Sequence, residues 1–302
     1  MLQKNTVIII VGPTAVGKTA LAIQVAQHFH TKIISADSRQ CFKELTIGVA
    51  KPSVDELQQV EHFFINSHAI HQNINAATFE NYALEKVNDI FKHQPIAVMV
   101  GGTGLYIKAF CEGLDLIPDI PKNIRDVLIT QYNEKGLEWL QQQVKGKDAA
   151  FWKIAEQQNP QRLMRALEVI TFTGKSITTF RKGTQLQRPF NIVKIGLELE
   201  REELYDSINK RVDVMMQNGL LDEVKQLLPY EQLNALQSVG YKELFDYLHN
   251  KYSLQEAINE IKKNTRHYAK RQLTWFKKDD TIQWFQPQQT KEILQFINSS
   301  FL

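Results

Sequence analysis

The sequence carries Gly12-Pro13-Thr14-Ala15-Val16-Gly17-Lys18-Thr19, which matches the phosphate-binding loop pattern G-x-x-x-x-G-K-[ST]. Residues 6–11 before it are apolar and mostly β-branched, which predicts a buried strand, and residues 20–29 after it have the apolar spacing of a helix. Such a loop binds phosphate because its backbone N–H groups converge at the positive end of the helix dipole. We expect Lys18 to reach a terminal phosphate and the Thr19 hydroxyl to bind Mg²⁺.

Composition narrows the class of protein. The chain has 302 residues, 43% of them hydrophobic and 23% charged, which is enough for one domain with an insertion. Its net charge of +3 confines any nucleic-acid surface to a local patch. Cys41 and Cys111 have no metal-binding spacing, and no apolar run reaches the ~18 residues of a membrane helix. We expect a monomeric, cytoplasmic protein with reduced cysteines and no membrane partner.

Two further strands are predicted beside the first. One covers residues 32–36 and is followed by Asp37, and the other covers residues 95–100 and is followed by Gly101. The ligand crevice of an open α/β sheet lies at the carboxyl ends of its strands, so we expect Asp37 near the phosphate loop. Its carboxylate has three interpretations: a general base, an indirect Mg²⁺ ligand, or a cap without a chemical role. The third strand lacks the Asp that ATPases use to hold Mg²⁺, and its glycines would admit a ligand.

The remaining pattern predicts a P-loop NTPase-like α/β fold, with a parallel sheet flanked by helices and a mainly helical insertion. We assign residues 1–117 and 189–302 to the catalytic core and residues 118–188 to the insertion, which prolines and a glycine bound. Within it, Asn159-Pro160 opens a helix that carries two arginines. Spacing alone favours solvated charges there.

Arg211 stands out on a predicted helix over residues 201–218. It falls seven residues after Leu204, within the apolar stripe of that helix. A guanidinium on an inward face needs an anionic partner, because an unpaired buried charge costs several kcal/mol. The partner is either an interior carboxylate or a ligand phosphate, and the sequence leaves both open.

Residues 262–278 form a strongly basic helix with seven Lys or Arg and no acid. The charged face is predicted to carry Lys263, Arg266, Lys270 and Lys277. The packed face is predicted to carry Ile261, Tyr268, Gln272, Trp275 and Phe276. A face of this kind is either solvated or binds a polyanion, and the absence of acids favours RNA.

Together these segments resemble the tRNA dimethylallyltransferases, also called tRNA isopentenyltransferases, in their bacterial form. The segments occur in the family's order and cover most of the chain: residues 12–19, 37–40, 47–52, 101–106, 161–168, 211–213, 239–244 and 265–276. The chain departs from the family pattern at Val16, Phe42, Val49, Glu61 and His267, positions that concern loop hydrogen bonding and the helix contact to RNA.

The resemblance implies transfer of a dimethylallyl group from dimethylallyl diphosphate to N6 of the adenosine just 3′ of the tRNA anticodon. It implies that the phosphate loop, Mg²⁺ and Arg211 hold the diphosphate, that Asp37 takes the N6 proton, and that Thr103 positions the reactants. The positions implied to bind the tRNA anticodon stem-loop are Asp37, Ser38, Arg39, Gln40, Thr103, Arg125, Gln161, Arg162, Leu163, Met164, Arg165, Val239, Gly240, Tyr241, Lys242, Arg266, Lys270 and Arg271.

Two other classes compete with this interpretation. A P-loop kinase of a small metabolite or nucleoside would use the same loop and Mg²⁺, but it would turn over ATP and would not need the basic helix. A non-enzymatic RNA-binding protein leaves Lys18, Asp37 and the intact loop unexplained.

Overall fold

The computed structural model describes residues 5–183 and 186–300, in which strands alternate with helices. The strands are β1 (Thr6–Val11), β2 (Ile33–Ser35), β3 (His62–Phe63), β4 (Ile96–Val100), β5 (Asn191–Leu197) and β6 (Ile282–Phe285). The helices are α1 (Lys18–His28), α2 (Val54–Gln59), α3 (Ala76–Phe91), α4 (Gly104–Glu112), α5 (Lys122–Lys147), α6 (Ala149–Trp152), α7 (Pro160–Thr173), α8 (Ile177–Phe180), α9 (Arg201–Gln217), α10 (Leu220–Leu227), α11 (Tyr241–Leu248), α12 (Leu254–Phe276) and α13 (Thr290–Ser299).

The strands form one parallel sheet in the order β3-β2-β4-β1-β5-β6. β1 lies between β4 and β5, with Val7 paired to Ala97 on one side and to Ile192 on the other. Every residue of β1 and β4 is buried, as expected for parallel strands covered by helices on both faces. The predicted P-loop NTPase-like α/β fold is confirmed, and the carboxyl ends of β2, β4 and β1 lie side by side.

Two edge strands, β3 and β6, were not predicted from the sequence. β3 has only two residues, and it pairs with β2 through Ile33 and His62. β6 has four residues directly after the basic helix, and it pairs with β5. Both are too short for a periodic pattern to separate them from a loop, and their pairing partners lie far away in the sequence.

The chain folds as two compact units, residues 112–186 and the rest of the chain. The smaller unit is helical, and its core combines Leu140 and Val144 of α5 with Leu163 and Leu167 of α7. α7 starts as predicted, since the Asn159 side chain accepts a hydrogen bond from the Arg162 N–H. No helix among the described residues is both long and apolar enough to cross a membrane.

This helical core corrects one part of the expected RNA contact. Leu163 and Met164 are 0% and 8% exposed, and both pack in the core of the smaller unit. Their apolar side chains face the interior because the stripe of α7 needs them there. They therefore support the helix, and direct contact of these two side chains with tRNA is not compatible with their burial.

We predict that Gly101→Ala destabilises the protein by roughly 1–3 kcal/mol, because the new Cβ overlaps the backbone of Ala36 where β4 ends beside β2. Backbone atoms cannot rotate away as a side chain would. The matched control is Gly146→Ala in α5, where no atom lies within 4 Å of the new Cβ. That change should stabilise the helix by about 0.5–1 kcal/mol. Denaturant unfolding measures both, and equal stabilities would contradict the close approach.

Candidate active site

The phosphate loop joins β1 to α1 as predicted. Gly17 precedes α1 in the left-handed conformation with φ 94°, which glycine adopts without strain. Gly12 has φ 145°, and a Cβ there would lie 2.5 Å from the carbonyl oxygen of Leu197. Lys18 Nζ donates a 2.6 Å hydrogen bond to the Pro13 carbonyl oxygen, so the ammonium group is folded back over its own loop.

A cavity of about 310 Å³ opens at this loop and is here called the loop cavity. Residues 14–20 of the phosphate loop line one side of it, together with Asp37 at the end of β2 and Arg211 of α9. Thr19 and Ser35 contribute hydroxyl groups to the same lining. The structure thus brings Asp37 close to Lys18, as predicted from the carboxyl ends of the strands, and it adds Arg211 to the same lining.

Charge in the loop cavity is unbalanced. Burial and, to a smaller extent, the nearby Arg211 lower the pKa of Lys18 to about 7, against the opposing effect of Asp37. Burial likewise lowers the pKa of Arg211, against a weaker opposing effect of Glu56. Arg211 Nη1 donates to Thr14 Oγ1 at 3.2 Å, and within the described residues it forms no ion pair. The lining holds three basic side chains, Lys18, Lys51 and Arg211, against the carboxylates of Asp37 and Glu56. This excess of basic groups favours an anionic ligand, the second of the two interpretations of Arg211.

Asp37 is held in a turn at the end of β2. Its Oδ1 accepts hydrogen bonds from the N–H groups of Arg39 at 2.8 Å and Gln40 at 3.2 Å. Thr103 Oγ1 accepts from the Ser38 N–H at 3.1 Å, which ties the end of β4 to the same turn. One carboxylate oxygen therefore has the capping role considered above, and the same side chain lines the loop cavity.

A second cavity of about 600 Å³ meets the loop cavity at Asp37. The residues that line both are Thr14, Asp37, Val49, Ala50, Arg211 and Tyr268. On its far side, the second cavity is lined by residues 237–240 and 242–243 and by Arg271 of α12. Of the predicted RNA-binding positions, Ser38, Arg39, Val239, Gly240, Lys242 and Arg271 lie in this lining. Asp37 thus lies between a small cationic cavity and a larger open one.

Gln272 is a site residue that the sequence analysis missed. Its Oε1 accepts from the Thr14 N–H at 2.8 Å, and its Nε2 donates to the Gly102 carbonyl oxygen at 2.9 Å. Gln272 lies on the packed face of the basic helix, as predicted, and is 6% exposed. A polar side chain on a buried face was the available signal, since a buried amide requires partners.

The glycines that follow β4 are in close contact with other residues of the protein. A Cβ on Gly101 would overlap Ala36, one on Gly102 would overlap the Gln272 amide, and one on Gly104 would overlap the Trp275 indole. Gly101 and Gly102 also line the loop cavity, so the approach of a ligand to their backbone stays a prediction. Gly102 and Gly104 allow α12 to pack directly on this backbone, and Gly101 allows close approach to Ala36.

Glu223 of α10 is a second residue that the sequence did not single out. Its carboxylate accepts from the N–H groups of Thr46 (3.1 Å), Ile47 (2.8 Å) and Gly48 (3.1 Å) and from the Tyr241 hydroxyl (2.6 Å). These bonds fix the loop that brings residues 49 and 50 into both cavities.

Tyr241 therefore requires a correction. It is 0% exposed, and its ring packs so tightly on Gly48 that a Cβ there would lie 2.6 Å away. Burial, followed by the Glu223 carboxylate, raises the pKa of its hydroxyl. Direct contact of this side chain with tRNA is not compatible with its burial, and its role in this structure is to support the loop.

The basic helix, α12, also differs in part from its prediction. Arg266 is half-buried, donates to Asn209 Oδ1 at 2.8 Å and lies 5.7 Å from the Tyr205 ring, so it does not belong to the exposed face. Trp275 is 39% exposed and does not belong to the packed face. Lys270, like Arg271, is exposed as expected.

Acids elsewhere in the chain neutralise some of the positive charge of residues 262–278. Lys262 pairs with Asp213 at 2.6 Å, and Lys277 pairs with Glu198 at 2.7 Å. The absence of acids within residues 262–278 therefore overstated the positive charge of this surface, because ion pairs form between elements distant in sequence.

In the helical unit, the arginines predicted to bind tRNA form ion pairs with carboxylates. Arg125 and Arg165 both pair with Glu168, at 3.5 and 3.2 Å, and the Glu168 side chain is only 2% exposed. Arg162 pairs with Glu156 at 2.9 Å. These charges are oriented by partners and are not simply solvated, while Gln161 beside them is exposed.

The departures from the family pattern lie in different surroundings. Val16 and Phe42 are buried, Val49 lines both cavities, Glu61 pairs with Lys32 at 2.8 Å, and His267 is exposed. None of them removes a hydrogen bond described above.

Comparison with known families agrees with this geometry. A family model described as IPP transferase matches residues 40–279. The chain belongs to the IPP transferase family. Among its relatives, the tRNA dimethylallyltransferase of Christiangramia forsetii is 49% identical over 298 residues, which cover 98% of this chain and 99% of the relative. The tRNA dimethylallyltransferase 1 of Bacteroides thetaiotaomicron is 45% identical over 97% of this chain and 95% of its own.

Solved structures of IPP transferases have the same fold. The full-length tRNA isopentenylpyrophosphate transferase of Bacillus halodurans superposes with a TM-score of 0.74 at 34% identity, covering 99% of this chain and 97% of that one. A eukaryotic dimethylallyltransferase described as acting on tRNA gives a TM-score of 0.74 at 27% identity, covering 90% and 70%.

Lys18 should make the stability of this family member depend on pH. Its pKa is 10.5 in a model compound and about 7 in the folded protein, so between these values the unfolded chain binds the extra proton. The contribution of Lys18 to stability therefore rises with pH in that window and is lost as pH falls through about 7. Lys18→Met lacks this dependence. We expect the difference in unfolding free energy, wild type minus variant, to increase from about pH 7 to about pH 9. A constant difference would contradict the lowered pKa.

Replacement of Glu223 should loosen the loop at residues 46–48. Glu223→Ala leaves three N–H groups and a hydroxyl without their acceptor, so we expect a loss of roughly 3 kcal/mol in unfolding free energy and faster amide exchange at these residues. Tyr241→Phe removes one of the four bonds and serves as the control, with a smaller loss and unchanged exchange. A larger loss for Tyr241→Phe would show that the carboxylate is not the main support.

Proposed function

We propose that this protein transfers the dimethylallyl group of dimethylallyl diphosphate to N6 of the adenosine 3′-adjacent to the anticodon of tRNA. Family membership and the names of its relatives support this reaction. The observation that carries it at the level of residues is the position of Asp37, where the loop cavity meets the second cavity. A diphosphate donor and a nucleoside acceptor would reach the same carboxylate from opposite sides.

The diphosphate would lie on the phosphate loop beside Lys18 and Arg211. Binding of the anion favours the charged form of Lys18, whose pKa burial lowers to about 7 in the free protein. As the bond between carbon and the bridging oxygen breaks, negative charge develops on the diphosphate, and these two cations and the loop N–H groups stabilise it. This reaction attacks no γ-phosphate and so does not need the Asp with which ATPases hold Mg²⁺. The end of β4 agrees with this, since Gly101 follows the strand in place of an Asp.

The residues present fit a Mg²⁺ ion that arrives with the diphosphate. No group of three or more His, Cys, Asp or Glu side chains that could hold a metal occurs within residues 5–183 and 186–300. Mg²⁺ needs few protein ligands when phosphates and water supply the others, and it prefers oxygen. The hydroxyl of Thr19 would hold it, with Ser35 and Asp37 in the same lining. When bound, the ion supplies further charge neutralisation on the leaving group.

The acceptor adenine would enter through the second cavity after leaving the anticodon-loop stack. Oδ1 of Asp37 accepts two N–H groups, and no hydrogen bond between described residues engages its Oδ2. This second oxygen would take the N6 proton as the bond between nitrogen and carbon forms and the diphosphate leaves. Thr103 holds the Asp37 turn through Ser38, so it positions the base.

We assign the binding of tRNA to two sets of positively charged side chains. Around the second cavity these are Arg39, Lys242 and Arg271, with Lys270 exposed on the same helix. In the helical unit they are Arg125, Arg162 and Arg165, beside Gln161. The kinase alternative is not favoured. A kinase would account neither for relatives that are named tRNA dimethylallyltransferase nor for the second cavity.

The test is transfer of labelled dimethylallyl groups to unmodified tRNA in the presence of Mg²⁺, beside an ATP-consumption assay. Asp37→Asn keeps the Oδ1 acceptor of the turn but cannot take a proton, so we expect turnover to fall by about 10²–10⁴-fold while stem-loop binding stays within about twofold. Unchanged turnover would remove the general-base assignment. ATP consumption without transfer by the wild type would overturn the function itself.

A further inference from the structure

Trp275 is an exposed aromatic side chain that the reaction described above does not use. It is 39% exposed, and its indole lies on the backbone of Gly104, where a Cβ would overlap the ring. Leu105, the next residue of α4, is 49% exposed. The glycine thus lets the indole rest on the protein backbone, while more than a third of the side chain stays accessible.

The indole continues a row of side chains that begins in the cavities. Tyr268, Gln272 and Trp275 are spaced by four and three residues, so they share one face of α12. Tyr268 lines both cavities, and Gln272 bonds the phosphate loop to Gly102. Trp275 lines neither cavity and lies about 10 Å along the helix axis from Tyr268. Trp275 therefore lies outside the second cavity, where the target base would bind, but close to it.

The charge around the indole indicates what it binds. Arg271 and Lys278, four residues before and three residues after Trp275, are exposed on the same segment, residues 262–278, which contains no acid. Accessible aromatic rings among cations are the combination with which proteins bind unpaired nucleotides, since the cations track the phosphates and the ring stacks on a base. A surface for a protein partner would instead be depleted of lysine.

We infer that Trp275 stacks on the base of a nucleotide that flanks the target adenosine. This rests on the proposed function, because it needs the target nucleotide to lie at Asp37. Extraction of one base from a stacked loop removes its contacts with both neighbours. The Trp275 indole replaces one of those lost contacts and so makes extraction less costly.

The first experiment measures binding of an anticodon stem-loop RNA by fluorescence anisotropy. Trp275→Leu keeps an apolar side chain on Gly104 but cannot stack, and we expect affinity to fall by about tenfold. Trp275→Phe keeps an aromatic face and should retain most of the affinity. Tyr230→Leu is the matched control: Tyr230 is 41% exposed and lines neither cavity, so its replacement should change nothing.

The second experiment separates stacking from folding. Two stem-loops carry an abasic nucleotide, one immediately 5′ and the other immediately 3′ of the target adenosine. The wild type should lose about tenfold in affinity for one of them, and Trp275→Leu should lose no more on that RNA than on the intact one. A general loss of folding in the variant would weaken binding of all three RNAs equally and would lower its melting temperature.

The outcomes distinguish this inference from the proposed function. Wild-type affinity in Trp275→Leu, or additive losses with both abasic RNAs, would overturn stacking while leaving transfer by the wild type intact. Stacking without any transfer by the wild type would instead overturn the proposed reaction.

Discussion

The site depends on one buried amide. Gln272 accepts from the N–H of Thr14 and donates to the carbonyl of Gly102, so a helix near the end of the chain holds the phosphate loop near its beginning. Both partners are backbone groups, and a buried amide left without them would cost about 1–3 kcal/mol. Because the same helix carries Tyr268, Arg271 and Trp275, this bond also sets where these side chains lie relative to the phosphate loop.

The cationic character of the loop cavity follows from burial as much as from residue type. Burial and the nearby Arg211 lower the pKa of Lys18 against the effect of Asp37, and burial lowers the pKa of Arg211 against the effect of Glu56. This arrangement is unfavourable in the free protein and is relieved by an anion, so part of the binding energy of a diphosphate comes from removing that strain. The same physics explains why a surface lysine could not replace Lys18.

Carboxylates outside the reaction organise the rest of the site. Glu223 collects three consecutive N–H groups and a tyrosine hydroxyl, and so shapes the loop shared by the two cavities. In the helical unit, buried Glu168 orients Arg125 and Arg165. A charged acceptor with several donors forms stronger hydrogen bonds than a neutral acceptor does, which suits groups that must keep one position.

By itself the sequence determined the phosphate loop, the strand and helix around it, and the position of Asp37 near Lys18, because these follow from local pattern and from the rule that parallel strands end at one edge. It left the surroundings of Arg211 open, and only the structure shows Arg211 in the same cavity. Tertiary structure decided the roles of Gln272 and Glu223, whose partners lie up to 258 residues away. It also buried Leu163, Met164 and Tyr241 and exposed Trp275. The reason is that helical periodicity gives the faces of a helix, whereas the neighbour that covers each face depends on packing between distant segments.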